Sequence, residues 1–477
     1  MPNIILGSGQ LAGGYEVANS LRFDDGSSDY LSRTTSTPTS DKIGTYSFWF
    51  KRSHLGTTQN IFNNYIDASN YAFLRFDGSA DRLEFFSLNG ADDLSLRTAR
   101  VFRDTSAWYH IVFRVDMTQS TSSNRLKFYV NGVEETSFTS TNYGVQNEVP
   151  SLFEASASGN NRIGTDETSS YHIDGYMAEA VYCDGQSLDP TSFGEFDEDT
   201  GIWKPIDVSG LTFGTNGFYL DFENSGSLGA DVSGNGNNFT VNNLTSIDQT
   251  TDTCTNNYCT MLSHTLGSYA TISEGNLKLV GNTASDSGNS LSSFAFSSGK
   301  WYWEMKVSED TTSVNYPQFF VFKTTDSKYG LQNLNGGDGN PAYLPTHVLG
   351  MSMSDGYFSG TSFTSGTTGA SSNGDIIQFF FDMDNGAFYG GRNGTLFNSA
   401  NPTSGSSKTG ALVTWTPDGR EYAISSTNFN NSIIEFNFGN PTFSISSGNS
   451  DGNGYGNFEY DPQGYYALNT KNLAEYG

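Results

Sequence analysis

The chain has 477 residues, enough for two or three domains each with its own core, and a formal charge of −27 with only 16% charged residues. That acidic balance excludes a phosphate-gripping, nucleic-acid role and favours a surface that stays in solution. Phe (36), Tyr (26) and Gly (53) are abundant, and with nine Asn-Gly dipeptides they point to pleated strands and tight turns in a nearly all-β chain.

Residues 1–19 form a short lead-in with little patterning. Met1-Pro2-Asn3-Ile4-Ile5-Leu6-Gly7 has neither the basic start nor the apolar run of a secretory leader, and no stretch approaches the ~20 apolar residues that cross a bilayer. Ile4, Ile5 and Leu6 are instead expected to bury in a partner as an anchor. A strand-and-turn rhythm then begins at Ser20-Leu21-Arg22-Phe23. It continues through Thr45–Arg52, where Tyr46, Phe48 and Phe50 share a face, through Trp108–Asp116, and through Arg125–Val130 into the Asn131-Gly132 turn. His172–Tyr182 is a further strand. These elements predict one sandwich over residues 20–225.

Residues 226–295 are rich in Ser, Asn, Thr and Gly and too numerous for a simple loop, and are expected to form strands that close the first sandwich or to bridge to the second. Asp231, Asn235 and Asn237 in this segment offer the oxygen ligands calcium prefers, beside the alternative of an ordinary turn. Cys254 and Cys259 are close enough in sequence to pair, but the three cysteines make no disulfide framework or zinc pattern.

A second sandwich is predicted over residues 296–443. Gly299–Val307 places Trp301, Trp303 and Met305 on one face and Tyr302, Glu304 and Lys306 on the other. Gly374–Asp384 is an apolar strand turning on Asp384-Asn385-Gly386, and Ile433–Phe443 closes the set. Residues 444–477 form a Gly/Asn-rich tail.

Gly299–Val307, Gly374–Gly386 and Ile433–Phe443 together resemble the opening, central hairpin and closing strand of a SPRY (B30.2) domain, which implies a sandwich that binds partners through its loops. The order S-L-R-F-D, Y-S-F-W-F-K-R, W-Y-H-I-V-F-R-V-D, L-K-F-Y-V-N-G, R-I-G and I-D-G-Y-M-A-E-A-V-Y is similar to the LamG-like concanavalin A-type jelly roll. The pairing of the two, with the closing A-L-N-T-K-N-L, resembles virion proteins of marine tailed bacteriophages. This resemblance implies a tail-fibre or adhesion component on the virion surface, made in a host cytoplasm. It would be a homo-oligomer, a trimer by preference, in contact with other virion proteins and a host-surface polysaccharide. The alternatives are a depolymerase tailspike and a purely structural head-decoration or tail component.

The chain carries no paired-carboxylate strand of the glycosidase kind, no nucleophile elbow and no phosphate-binding loop, so no enzyme activity is expected. Glu195-Phe196-Asp197-Glu198-Asp199 reads as a solvated acidic turn, Glu179 lacks a partner carboxylate at i+2 or i+4, and His110 falls on an alternating strand. No cofactor is required, calcium being the one with a case. Glycan recognition needs exposed rings, and Tyr343, Tyr357, Phe358 and Phe363 stand in a polar Gly/Ser/Thr region as candidates.

Overall fold

The computed structural model describes residues 14–156, 160–263, 270–282, 288–309, 318–323, 348–352, 356–359, 362–428 and 431–477. The chain is nearly all β, 41% strand against 7% helix, and divides into two compact units, Leu11–Thr255 and one built mainly from Asn256–Gly477.

The first unit is a sandwich of two eight-stranded antiparallel sheets. One runs Val133–Glu134, Leu126–Val130, Tyr109–Asp116, Ile43–Arg52, Gly175–Asp184, Ser20–Phe23 and Gln249–Thr250, with Phe218–Leu220 also beside Gly175–Asp184. The other runs Phe138–Asn142, Asp92–Thr98, Leu83–Asn89, Asn70–Phe76, Gln59–Asp67, Asn161–Ile163, Tyr30–Arg33 and Thr240–Asn242. Because side chains alternate across a strand, Tyr46, Phe48, Phe50, Ile111, Phe113, Val115 and Met177 meet Leu74, Phe76, Phe85 and Leu96 in one core. The opposite face of the first sheet is also buried, unlike the polar-out pattern of a simple antiparallel sandwich. Residues 188–213 fold over it, so Val112, Val181 and Cys183 pack on Phe193, Val208 and Phe213, while Trp49, Trp108, Tyr176 and Ala178 pack with Trp203.

Asn131-Gly132 makes the expected two-residue hairpin, both residues at positive φ, between the paired Val130 and Val133. A Cβ on Gly132 would overlap the Trp203 ring. Gly132→Ala is therefore expected to cost about 2 kcal/mol or more, from backbone strain plus overpacking. Thermal unfolding of the two proteins side by side measures it, and an unchanged midpoint would refute it.

The second unit is also a sandwich. Its larger sheet runs Ala270–Ser273, Lys278–Gly281, Ile433–Asn437, Lys300–Glu309, Ile376–Asp382, Ala387–Arg392 and Thr395–Leu396, and its smaller one Gly288–Phe296, Tyr422–Asn428, Gln318–Lys323, Val348–Ser352, Gly356–Ser359 and Ser362–Ser365. Trp301, Trp303 and Met305 face Phe294, Phe296, Met351 and Ile424 across the core, as the alternation requires. The turn after Ile376–Asp382 is looser than a two-residue hairpin: Asp382 pairs with Ala387, Gly386 alone of the Asn-Gly pair has positive φ, and the Asp382 carboxylate accepts the Asn385 backbone and side-chain N–H groups at 2.9 and 2.8 Å.

The expected bridge, residues 226–295, is shared between the units. Its first part supplies Thr240–Asn242 and Gln249–Thr250 to the first sandwich, and its remainder supplies Ala270–Ser273, Lys278–Gly281 and Gly288–Phe296 to the second. Residues 444–477 are likewise built into the second unit. Phe458, Tyr465 and Ala467 bury Tyr302, Phe380 and Tyr389 on the outer face of the larger sheet, where Tyr466–Ala467 pairs in parallel with Trp301–Tyr302.

Candidate functional site

Three loops of the first unit converge at one end of the sandwich. They are residues 24–29 between Ser20–Phe23 and Tyr30–Arg33, residues 53–58 after Ile43–Arg52, and residues 164–174 before Gly175–Asp184. Backbone hydrogen bonds tie residues 164–174 to the second loop and to the strand Gln59–Asp67 that follows it. Ser53 N–H donates to Asp174 O at 3.1 Å, Asn60 N–H to Tyr171 O at 2.8 Å, and Gly164 N–H to Ile61 O at 3.0 Å.

This convergence brings Asp25, His54 and Asp174 together, one ligand atom of each within 4.8 Å of the others. His54 Nδ1 lies 3.3 Å from Asp25 Oδ2. Asp174 is buried, whereas Asp25 and His54 reach solvent. The loop carrying His54 is held from below by Arg52, which is fully buried over the Phe76 ring and donates to His54 O at 3.1 Å, Phe102 O at 2.8 Å and Asp81 Oδ1 at 3.2 Å. Asp81 also accepts Gly56 N–H at 2.8 Å and Arg103 Nε at 3.0 Å. Burial acts to raise the Asp81 pKa, but Gly56, Arg103 and Arg52 outweigh it and hold the carboxyl below its ordinary value. In the first loop, Asp29 Oδ2 accepts Asp24 N–H at 3.0 Å, and burial pushes the Asp29 pKa up to about 6.

Tyr171 stands on the same rim, 51% exposed, at φ +53°. A bulky residue at positive φ is a backbone outlier that surrounding structure must impose. Here the imposing structure is the Asp166 turn. Asp166 Oδ1 accepts the N–H groups of Thr168 and Ser170 at 3.1 and 2.7 Å, and Arg162 donates to Asp166 O at 2.7 Å. A rigid loop thus holds an exposed ring three residues before Asp174. One imidazole and two carboxylates provide three donor atoms, a set better matched to a zinc-type ion than to calcium, which takes six to eight oxygens. Asp25 and Asp174 also bring together two carboxylates, the residue type that acid–base chemistry on sugars uses.

Sequence reasoning missed this constellation because its members come from three loops far apart in the chain. The local signals were faint: a His-Ile-Asp-Gly run entering a strand and a Tyr inside a Ser-rich turn.

Asp231, Asn235 and Asn237 do come together, as an internal clip. Asp231 Oδ1 accepts Tyr219 N–H at 2.9 Å and Asp231 Oδ2 accepts Asn237 N–H at 2.7 Å. Asn235 Nδ2 donates to Gly214 O and Gly217 O, and Asn237 Nδ2 to Thr215 O and Gly217 O. Tyr357 sits on Gly356–Ser359, partly buried against the second core. The side chains of Phe358 and Phe363 lie outside the described residues, as do Tyr343, Ile4, Ile5 and Leu6.

Other candidates have structural partners. His110 is buried between Trp49 and Trp203; Trp203 Nε1 donates to its Nδ1 at 2.9 Å and Ser47 Oγ is 2.9 Å from its Nε2. Burial drives its pKa down to about 3. Glu195–Asp199 lies on the exposed hairpin Gly194–Phe196/Trp203–Pro205. All three cysteines are free thiols.

Residues 25–184 match the family model of the concanavalin A-like lectin/glucanases superfamily, so the first sandwich is a LamG-like concanavalin A-type domain. No curated protein is significantly similar to the chain. Among solved structures, the SPRY domain of human HERC1 is 12% identical, with 37% of this chain and 96% of that chain covered and a TM-score of 0.28. Domains LG4-5 of the mouse laminin α1 chain are 10% identical over 91% of this chain and 92% of that chain, TM-score 0.29. Domain 4 of a GH43 extracellular arabinanase from Geobacillus stearothermophilus, solved with arabinotriose, is 20% identical over 31% and 64%, TM-score 0.24. Likenesses this distant carry no argument about function.

Proposed function

We propose that the chain recognises a polysaccharide at the loop rim formed by residues 24–29, 53–58 and 164–174, and that it does so as an adhesion component of a tailed-bacteriophage virion, displayed on the tail or fibre and anchored to other virion proteins. The observation that carries the recognition reading is Tyr171. It is an exposed ring fixed at an unfavourable φ in the loop that carries Asp174, three residues before it, within the stretch that matches a lectin and glucanase superfamily. A ring supplies an apolar platform for a sugar face, and the carboxylates and imidazole supply hydrogen bonds to its hydroxyls. A single rim of this size binds weakly, so a homo-oligomer, a trimer in our reading, would reach useful strength by avidity.

Tyr171→Gly tests this reading with opposite signs for stability and function. Removing the side chain relieves the positive-φ strain, so unfolding free energy should hold or rise by a few tenths of a kcal/mol. Binding to host capsule or lipopolysaccharide, measured by glycan array or co-sedimentation, should fall about tenfold or more, equivalent to ~1.4 kcal/mol. Undiminished binding would remove the rim from the reading.

The proximity of Asp25 and Asp174 favours one second reading, a polysaccharide depolymerase. Our proposal is binding without cleavage and without a required cofactor. Incubation with host polysaccharide should release no reducing ends, and a chelator should leave binding unchanged. Release abolished by Asp174→Asn would establish the hydrolase instead, and loss of binding on chelation would place an ion among Asp25, His54 and Asp174.

A further inference from the structure

The outer face of the first unit's central sheet contains a charged pair withdrawn from solvent on both sides. Lys51 Nζ lies 2.7 Å from Asp252 Oδ2, and each side chain is 1% exposed. Lys51 projects from Ile43–Arg52 into the cluster of Trp49, Trp108, Tyr176, Ala178 and Trp203, with its Nζ 5.2 Å from the centre of the Tyr176 ring. Asp252 is fixed from several directions. Trp108 Nε1 donates to its Oδ1 at 3.2 Å, Ser20 Oγ donates to its carbonyl at 2.6 Å, and its own N–H donates to Thr250 Oγ1 at 3.1 Å. The residue follows Gln249–Thr250, a two-residue strand that, among the described residues, pairs with Ser20 and Leu21. The last strand of the unit is thus weakly held by its own ladder.

The contact holds the Lys51 nitrogen against the Asp252 carboxyl group, out of reach of competing water. We propose that Lys51 and Asp252 condense into an intramolecular isopeptide bond, a covalent staple between the central strand and the segment that ends the unit. The Nζ lone pair forms a bond to Cγ of Asp252, and the C–Oδ2 bond breaks. Of the three protons on the original ammonium, one stays on the amide nitrogen and two leave with Oδ2 as water. The Trp108 N–H faces Oδ1, where negative charge develops as the nitrogen adds. No oxidant, cofactor or external acid enters the balance. Fixed geometry at hydrogen-bond distance supplies the proximity that makes an otherwise slow condensation feasible. The product also removes two buried charges from the aromatic cluster and cross-links positions 201 residues apart.

Intact mass spectrometry of the full purified chain in denaturant tests this directly. The expected mass lies one water below the sequence value, and a protease digest should contain a branched peptide joining Lys51 to Asp252. Lys51→Arg keeps the positive charge without condensing, so it should show the full sequence mass and a lower unfolding temperature. The wild-type measurement decides the matter even if that variant does not fold. A wild-type chain at full sequence mass, or a water-deficient chain in which Lys51 is recovered in a linear peptide, overturns the proposal.

Discussion

Glu304→Leu is expected to destabilise the second unit by on the order of 4 kcal/mol, a large share of a typical domain's total stability. The Glu304 carboxylate is fully buried and accepts four hydrogen bonds: Tyr302 OH at 2.8 Å, Tyr460 N–H at 2.7 Å, Asn437 Nδ2 at 3.0 Å and Glu459 N–H at 3.0 Å. Burial raises its pKa, and the four donors oppose that rise without cancelling it. Leucine would leave those donors without their acceptor inside the protein, each at a cost of about 1–3 kcal/mol before relaxation. Two of them are backbone groups of the C-terminal segment, so that segment should loosen first. Urea unfolding followed by tryptophan fluorescence gives the magnitude, and limited proteolysis within residues 444–468 gives the location. A loss under ~1 kcal/mol, or cleavage elsewhere, would show that the Glu304 hydrogen bonds are not what holds the segment.

Glu179→Gln should have the opposite effect, stabilising the first unit in a pH-dependent way. Glu179 occupies the bulge where Gly175–Asp184 shifts register against Ile43–Arg52, at φ +51°, and accepts from Tyr219 OH at 2.7 Å and Tyr15 OH at 3.3 Å. Burial pushes its pKa up to about 7, aided by the charges of Asp221 and Glu223 and opposed by the two hydroxyls. A carboxyl whose pKa is higher folded than unfolded binds its proton more tightly in the native state. Its stabilising contribution is therefore complete below the unfolded value and is lost as pH rises toward 7. The glutamine keeps an acceptor for Tyr219 and never ionises. It should gain about 2–3 kcal/mol over wild type at pH 8 and show little difference near pH 4. Asp29, with its pKa at about 6, adds to the wild-type slope in the same direction and remains in the variant. A wild-type-to-variant difference that does not vary with pH would sink this account.

Much of the architecture was legible in particular residues. The alternation Trp301-Tyr302-Trp303-Glu304-Met305 predicted two faces, and the structure sends the odd positions to one core and Tyr302 to the other cluster. Asn131-Gly132 predicted its own turn because few other dipeptides place two successive residues at positive φ cheaply. Periodicity failed where a strand is covered on both faces. Thr45, Ser47 and Lys51 lie on the other side of Ile43–Arg52 from Tyr46, Phe48 and Phe50, yet they too are buried, a relation between distant segments that no local pattern encodes. The tail misled for a similar reason: its Gly, Asn and Ser are turn formers, but Phe458 and Tyr465 among them are anchors.

By itself the sequence determined fold class, the strands with their inner faces and the hairpins, because these depend on the two-residue period of the pleat and on backbone preferences of single residues. Tertiary structure alone decided the chemistry. Asp25, His54, Tyr171 and Asp174 become a rim only when three loops close on one another, and Lys51 meets Asp252 only when the chain returns to its first sheet. Asp174, Lys51 and Asp252 are withdrawn from water by neighbours distant in sequence, and water exclusion is a property of packing rather than of spacing along the chain.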